Sequence, residues 1–256
     1  MSARSEVART LALGRLSGGK LANHPGPKPA NVAEAIAVQH EVTLALGWKP
    51  CGWKVGATSP RAQQLLGVEA PFAAPLFAER LFQSGDRVGA APSNSRVVEP
   101  EIAFVMGRAL PLAESAYTPS DVLAVVATVH AAFELVNPRL PLGFKEPVEW
   151  LIADGGINDA FVLGPGVAPG DALDYAGIQV RAHRNAAPIT EGVGANALGG
   201  PHRVLVWLAN HLRERGIALA PGDIVTTGLV TDVIVAEAVD EIAADFSGIG
   251  EVRVRY

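Results

Sequence analysis

Apolar positions in this chain fall into two kinds of spacing: helical stripes near the start, then short strand-like runs parted by glycine and proline. Residues 4–16 suit a first helix that ends near Gly18-Gly19. Pro25, Pro27 and Pro29 keep the stretch from Ala22 to Ala30 extended. Asn31 is a good cap for a second helix, on which Ala33, Ile36, Ala37, His40 and Leu44 fall on one face, and Gly47 closes it. Ser59-Pro60 opens a short helix that Gly67 ends. Thr118-Pro119-Ser120-Asp121 predicts a helix running to about His130. The strongest helical stripe is Val204, Leu205, Leu208, Ala209 and Leu212, opened by Pro201 and closed by Gly216.

Strand signals occupy the rest. Gly52 to Gly56 is a short strand whose one charge is Lys54, and Pro71 to Phe77 reads as a loop. Val97 to Met106, Phe133 to Val136, Ala160 to Gly164, Ile178 to His183 and Ile224 to Gly228 are apolar or alternating runs. The tail is a hairpin: Glu241 to Phe246, the turn Ser247-Gly248-Ile249-Gly250, and Glu251 to Tyr256. After residue 85, strands outnumber helices and no regular strand–helix alternation appears. The class is α+β. Residues 1–50 form an N-terminal helical segment, and residues 51–256 a β-rich body expected to be one compact unit.

The apolar pattern is broken most tellingly at Val97-Val98-Glu99-Pro100-Glu101-Ile102-Ala103-Phe104-Val105. Glu99 and Glu101, two apart on a strand, point the same way. Like charges at the edge of a core repel, and desolvation disfavours both charged forms. A proton, a basic side chain or a hard cation that prefers carboxylate oxygen would relieve them. The same residues also fit an exposed strand end where Pro100 stops the pairing. Glu134 is the odd polar residue of another apolar run, and Asp154 ends a third, before two glycines.

Composition narrows the field. Of 256 residues, 49% are hydrophobic and 18% charged, which is globular rather than disordered. A net charge of −5 argues against a nucleic-acid partner. The single cysteine, Cys51, allows no internal disulfide and has no activating neighbour in sequence, so it reads as an inert small residue. No stretch reaches the ~18 apolar residues of a membrane span, and no apolar leader opens the chain, so the cytoplasm is the expected location. The glycines of Glu191 to Gly200 lack the strand–GxxxxGK–helix arrangement of a phosphate loop.

Four stretches together resemble the fumarylacetoacetate hydrolase superfamily: Gly52-Trp53-Lys54-Val55-Gly56, Glu99-Pro100-Glu101-Ile102-Ala103-Phe104-Val105, Phe133-Glu134-Leu135-Val136-Asn137-Pro138-Arg139 and Asp223-Ile224-Val225-Thr226-Thr227-Gly228. Their order and spacing are similar to the branch of 2-keto-4-pentenoate (2-hydroxypenta-2,4-dienoate) hydratases and oxalocrotonate decarboxylases. The resemblance covers about residues 32 to 256 and implies a mixed β-roll with its site at one open end. It implies Mg2+ or Mn2+ on Glu99, Glu101 and Glu134, with Lys54 and Asp154 as catalytic residues. Thr226, Thr227 and Gly228 would line the pocket, together with the Gly-rich stretch before Pro201.

The implied reaction adds water to a 2-hydroxy-2,4-dienoate, of the kind met in aromatic catabolism, giving a 4-hydroxy-2-oxo acid. The implied partner is a small 2-oxo acid, and an oligomer of identical chains is expected. Two other readings stand beside it: a decarboxylase or carbon–carbon hydrolase of a related 2-oxo or 2,4-dioxo acid, and a non-catalytic partner of such an enzyme. The chain departs from the branch in places. No carboxylate occurs between Pro71 and Phe77, where hydratases often carry one. Gly155-Gly156 follow Asp154, Gly199-Gly200-Pro201 lacks a side chain before the long helix, and Leu229 follows Gly228. These departures predict a more apolar pocket.

Overall fold

The computed structural model describes residues 2–88, 95–170 and 173–256. Helix α1 (Ala3–Ser17) begins where the Ser2 hydroxyl accepts from the Ser5 amide and ends at Gly18 in the left-handed conformation. Helix α2 (Val32–Leu46) is capped by the Asn31 side chain and closed by Gly47. Strand β1 (Pro50–Gly56), helix α3 (Pro60–Leu66), strand β2 (Phe72–Phe77) and strand β3 (Leu81–Gln83) follow. Then come β4 (Val97–Met106), α4 (Pro119–Leu123), β5 (Val126–Val136), α5 (Val148–Ala153) and β6 (Asn158–Val167). The last part holds β7 (Gln179–Arg184), β8 (Ala187–Val193), α6 (Pro201–Arg213), β9 (Ile224–Leu229), β10 (Ile234–Val235) and the tail hairpin β11 (Glu241–Phe246) and β12 (Gly250–Arg255).

One mixed sheet runs β2-β1-β9-β4-β5-β6-β3, with β10 on β4, and a second runs β12-β11-β7-β8. The α+β class and the N-terminal helices are as the sequence implies. β12 packs against β5 and β6, and the buried stripe of α6 joins the same core as Phe104, Phe133 and Val225. All five residues of that stripe are buried, since burying one apolar face is what holds an amphipathic helix in place. A smaller core joins α1, α2 and α5 through Leu11, Val38, Val42, Trp150 and Ile152. No helix among the described residues is long and apolar enough to cross a membrane.

Three local expectations are corrected. Pro71 to Phe77 is not a loop: all six residues of β2 are buried, paired antiparallel to β1. Pro75 is tolerated because β2 is the edge of the sheet, where a missing N–H costs no ladder bond. The helix from Thr118 stops at Leu123, and His130 lies on β5. There the β-branched Val126, Thr128 and Val129 pair across to β4, and Val129 also to β6, instead of continuing the helix. His130 is buried, with Nδ1 on the Gly164 carbonyl at 2.8 Å and Nε2 on Thr128 Oγ1 at 2.7 Å.

The third correction concerns α2. Its buried face is Ala35, Val38, Gln39, Val42 and Leu46, while Ala33, His40 and Leu44 are exposed. Apolar residues occur on both sides of this helix, so periodicity alone does not choose between them. Gln39 decides it, donating through Nε2 to the Ile152 carbonyl at 2.8 Å and to that of Ala73 at 3.3 Å.

Candidate active site

Pairing in the large sheet assembles the site. Glu99 on β4 is the direct register partner of Glu134 on β5. Glu101, one pleat along β4, lies diagonal to that pair, and both positions are within cross-strand reach. One ligand oxygen from each of Glu99, Glu101 and Glu134 lies within 4.8 Å of the others. β4 continues through Pro100, which faces Phe133, so the alternative of a strand end with solvated glutamates falls away. Glu101 and Glu134 are buried and Glu99 is half-buried.

On the other flank, β9 lies between β4 and β1, and Lys54 on β1 is the parallel partner of Thr226. Lys54 is buried, with Nζ 3.2 Å from Glu134 Oε1 and 5.7 Å from the centre of the Phe72 ring. The Lys54 stem passes over Gly156, whose φ is +63°. A Cβ at Gly156 would stand 2.7 Å from Lys54 Cε, so any side chain at that position would push the lysine aside.

The electrostatics follow from this crowding. Burial, then the charge of Glu134, pushes the Glu99 carboxyl up to about 7. Burial, then Glu134 and Glu99, pushes Glu101 well above the usual carboxylate range. Burial works against a charged Lys54, but Glu134, Glu99 and Glu101 together outweigh it and raise its pKa. One ammonium thus faces three carboxylates. Glu101 Oε2 accepts from the Thr226 hydroxyl and from the Gly228 amide at 2.8 Å, yet its buried Oε1 has no hydrogen-bond partner among the described residues. A surplus of carboxylate oxygen with one buried oxygen unmet fits a divalent cation.

The cluster opens into a cavity of about 980 Å3. Phe72, Leu65, Leu66, Phe144, Leu151 and Leu229 give it apolar walls, and Lys54 and Arg61 are the cations that line it. The expectation of an apolar pocket is met at two of the departures, Leu229 and the stretch holding Phe72. Gly228 is on the wall, but Thr226 lies behind Glu101, and Thr227 turns away to donate to the Ile102 carbonyl at 2.7 Å. From the Gly-rich stretch, Ala195 and Asn196 reach the cavity.

Asp154 is not on the cavity wall. It accepts from Arg139 Nε at 3.0 Å in a fully buried ion pair, and burial raises its pKa despite Arg139 and Arg15. Asn158 was not singled out by sequence, yet it donates to Glu134 Oε1 at 3.0 Å. An asparagine at the start of a strand carries no signal of that kind. Nor does a phenylalanine in an apolar stretch announce that it lies beside a lysine. Cys51 sits away from the cluster, and burial followed by the charges of Asp223 and Glu79 raises its thiol to about 11, which keeps it protonated and unreactive.

Residues 59–255 match the model of the fumarylacetoacetate (FAA) hydrolase C-terminal family. The chain belongs to that family. It is 30% identical over 257 residues to 2-keto-4-pentenoate hydratase of Paraburkholderia xenovorans (strain LB400), covering 99% of this chain and 94% of that protein. It is 30% identical over 227 residues to the TodF product hydratase of Pseudomonas putida (strain F1), covering 87% and 83%. Among solved structures, 4-oxalocrotonate decarboxylase from Pseudomonas putida G7, complexed with magnesium and adipate, superposes with a TM-score of 0.88 at 26% identity, covering 98% of this chain and 96% of that one.

Proposed function

We propose that this family member is a hydratase that adds water to a 2-hydroxy-2,4-dienoate, giving a 4-hydroxy-2-oxo acid, with Mg2+ or Mn2+ held by Glu99, Glu101 and Glu134. The observation that carries the reading is the set of three carboxylates facing Lys54 at the base of an apolar cavity. Full-length similarity to hydratases of 2-keto-4-pentenoate supports the substrate class. A divalent cation bound to these carboxylates supplies Lewis-acid polarisation of a 2-oxo carboxylate.

The chain's own groups do the rest. Lys54, buried with Nζ 3.2 Å from Glu134 Oε1, acts as the cation of the site. Its ammonium anchors the anionic head of the substrate near Glu134. The walls formed by Phe72, Leu65 and Leu229 take the alkenyl tail and exclude bulk water from it. Asp154 holds Arg139, whose Nη2 donates to the Asn158 carbonyl at 3.1 Å; this gives Asp154 a positioning role behind Glu134.

The test is to incubate the protein with Mn2+ and freshly generated 2-hydroxypenta-2,4-dienoate and follow loss of dienol absorbance. The 4-hydroxy-2-oxo acid is the expected product. Release of carbon dioxide from 4-oxalocrotonate with no turnover of the dienoate would replace this reading with a decarboxylase.

A further inference from the structure

Glu134 is reached by a chain of buried groups that begins in the N-terminal helix. Arg15, in the last turn of α1, is 4% exposed. Its Nη2 donates to Asn158 Oδ1 at 3.0 Å, and Asn158 Nδ2 donates to Glu134 Oε1 at 3.0 Å. A guanidinium has only donors, so it must meet the amide's oxygen, and that fixes which end of Asn158 faces Glu134. Glu134 Oε1 then receives two donors, Asn158 Nδ2 and Lys54 Nζ, which sets the rotation of the carboxylate.

The route for Arg15 is built in. Gly155 has φ +69°, and a Cβ there would stand 2.6 Å from Arg15 Nη1. The guanidinium carbon lies 5.8 Å from the centre of the Trp48 ring and 5.1 Å from that of Phe77, within cation–π reach of both. Arg139 fixes the other side of Asn158 through its backbone carbonyl. Burying this guanidinium beside a second one, Arg139, is costly; the charges of Asp154 and Asp159 offset part of the cost, and the Asn158 amide takes the hydrogen bond from Nη2. Helix α1 lies outside residues 59–255, the span of the family match.

We infer that Arg15 is a positioning residue that orients the Glu134 carboxylate through the Asn158 amide, so that α1 completes the cation site. This rests on the proposed cation site at Glu99, Glu101 and Glu134.

The test measures Mn2+ affinity by calorimetry on the full chain, for the wild type, Arg15→Met, Arg15→Lys, Asn158→Ala and the double variant Arg15→Met/Asn158→Ala, each checked for a cooperative melt. Arg15→Met is expected to bind Mn2+ on the order of 10-fold more weakly, as when other carboxylate-orienting groups are removed. Arg15→Lys, which keeps a donor, should recover part of that loss. The double variant should bind no more weakly than Asn158→Ala alone, because both changes break one link. Wild-type affinity in Arg15→Met, or additive losses in the double variant, would overturn the inference and leave the cation site standing. Should Arg15→Met fail to fold, Asn158→Ala and its double with Arg15→Lys are read instead: wild-type affinity in Asn158→Ala, or a further loss in the double variant, would overturn the inference. No Mn2+ binding by the wild type would overturn the cation site itself, and the inference with it.

Discussion

Glu99 and Glu134 stand opposite each other in register across β4 and β5, two acids placed where a sheet normally puts a compatible cross-strand pair. Like charges in that position are destabilising, and the fold keeps them together in the company of a third acid, Glu101. Structure and chemistry pull against each other at this point of the sheet, the kind of local conflict that folds keep where a site needs it.

The first consequence is a pH dependence. Glu99 has its folded pKa at about 7, raised from 4.5 by burial and by Glu134. Between those values the folded chain holds a proton that the unfolded chain has lost. Without a cation, the contribution of Glu99 to stability is therefore full below about pH 4.5 and is lost as pH rises through 7. The loss is at most about 3 kcal/mol, the size of a shift from 4.5 to about 7. In saturating Mn2+ the carboxylates are already deprotonated, and the slope should flatten or reverse. Melting temperatures from about pH 5 to about pH 8, with chelator and with Mn2+, check both arms.

Glu101→Gln separates stability from binding. The amide oxygen can take the donors from Thr226 and Gly228, and its NH2 can face Glu99 and Glu134. Removing a buried like charge should raise the melting temperature of the cation-free protein. Losing a ligand should weaken Mn2+ by on the order of 100-fold, beyond the effect of losing an outer partner. Calorimetry and a thermal melt on the same variant decide it, and unchanged affinity would remove Glu101 from the site.

Lys54→Met should leave Mn2+ binding within a few-fold of wild type and lower kcat/KM by roughly 100-fold or more, the scale of a lost charge-assisted contact to the substrate anion. The cation-free variant should melt lower than wild type, because three carboxylates lose their one nearby ammonium. Full turnover by Lys54→Met would end its assigned role.

Gly156→Ala tests the same lysine from a distance. The new Cβ would overlap Lys54 Cε, and the backbone is in the left-handed region. A stability loss of about 1–3 kcal/mol is expected. A fall in kcat/KM like that of Lys54→Met should accompany it, with Mn2+ affinity largely kept. A melt with steady-state kinetics checks the pair of effects.

Much of this site was legible from residues alone, because its chemistry depends on side-chain types that stand out against an apolar background. Glu99, Glu101, Glu134 and Lys54 interrupt apolar strands, and the alternation of strand faces already puts Glu99 and Glu101 together. What the sequence could not supply was register. Whether Glu134 meets Glu99 or slips by one residue to the opposite face depends on pairing along the whole of β4 and β5. The same reason hid Asn158 and Arg15, whose roles exist only through contacts far along the chain. Asp154 showed the converse: the family resemblance implied a catalytic role, but its carboxylate is paired with Arg139 and is not on the cavity wall. In α2 the stripe misled because both faces are apolar enough to bury, and the two hydrogen bonds of Gln39 made the choice.

The parallel pairing of β1 with β9 sets an order of assembly. Lys54 comes off the ribosome early, whereas its strand partner Thr226 comes near the end. Glu101 likewise waits for Gly228. Contacts of such long separation close slowly, since the loop between them must be ordered before the contact repays it. A nascent chain therefore carries its acids and its lysine for most of synthesis with no pocket around them. The acids of β4 and β5 are joined to Lys54 only when β9 slots between β1 and β4, so the cluster is completed in a single late event.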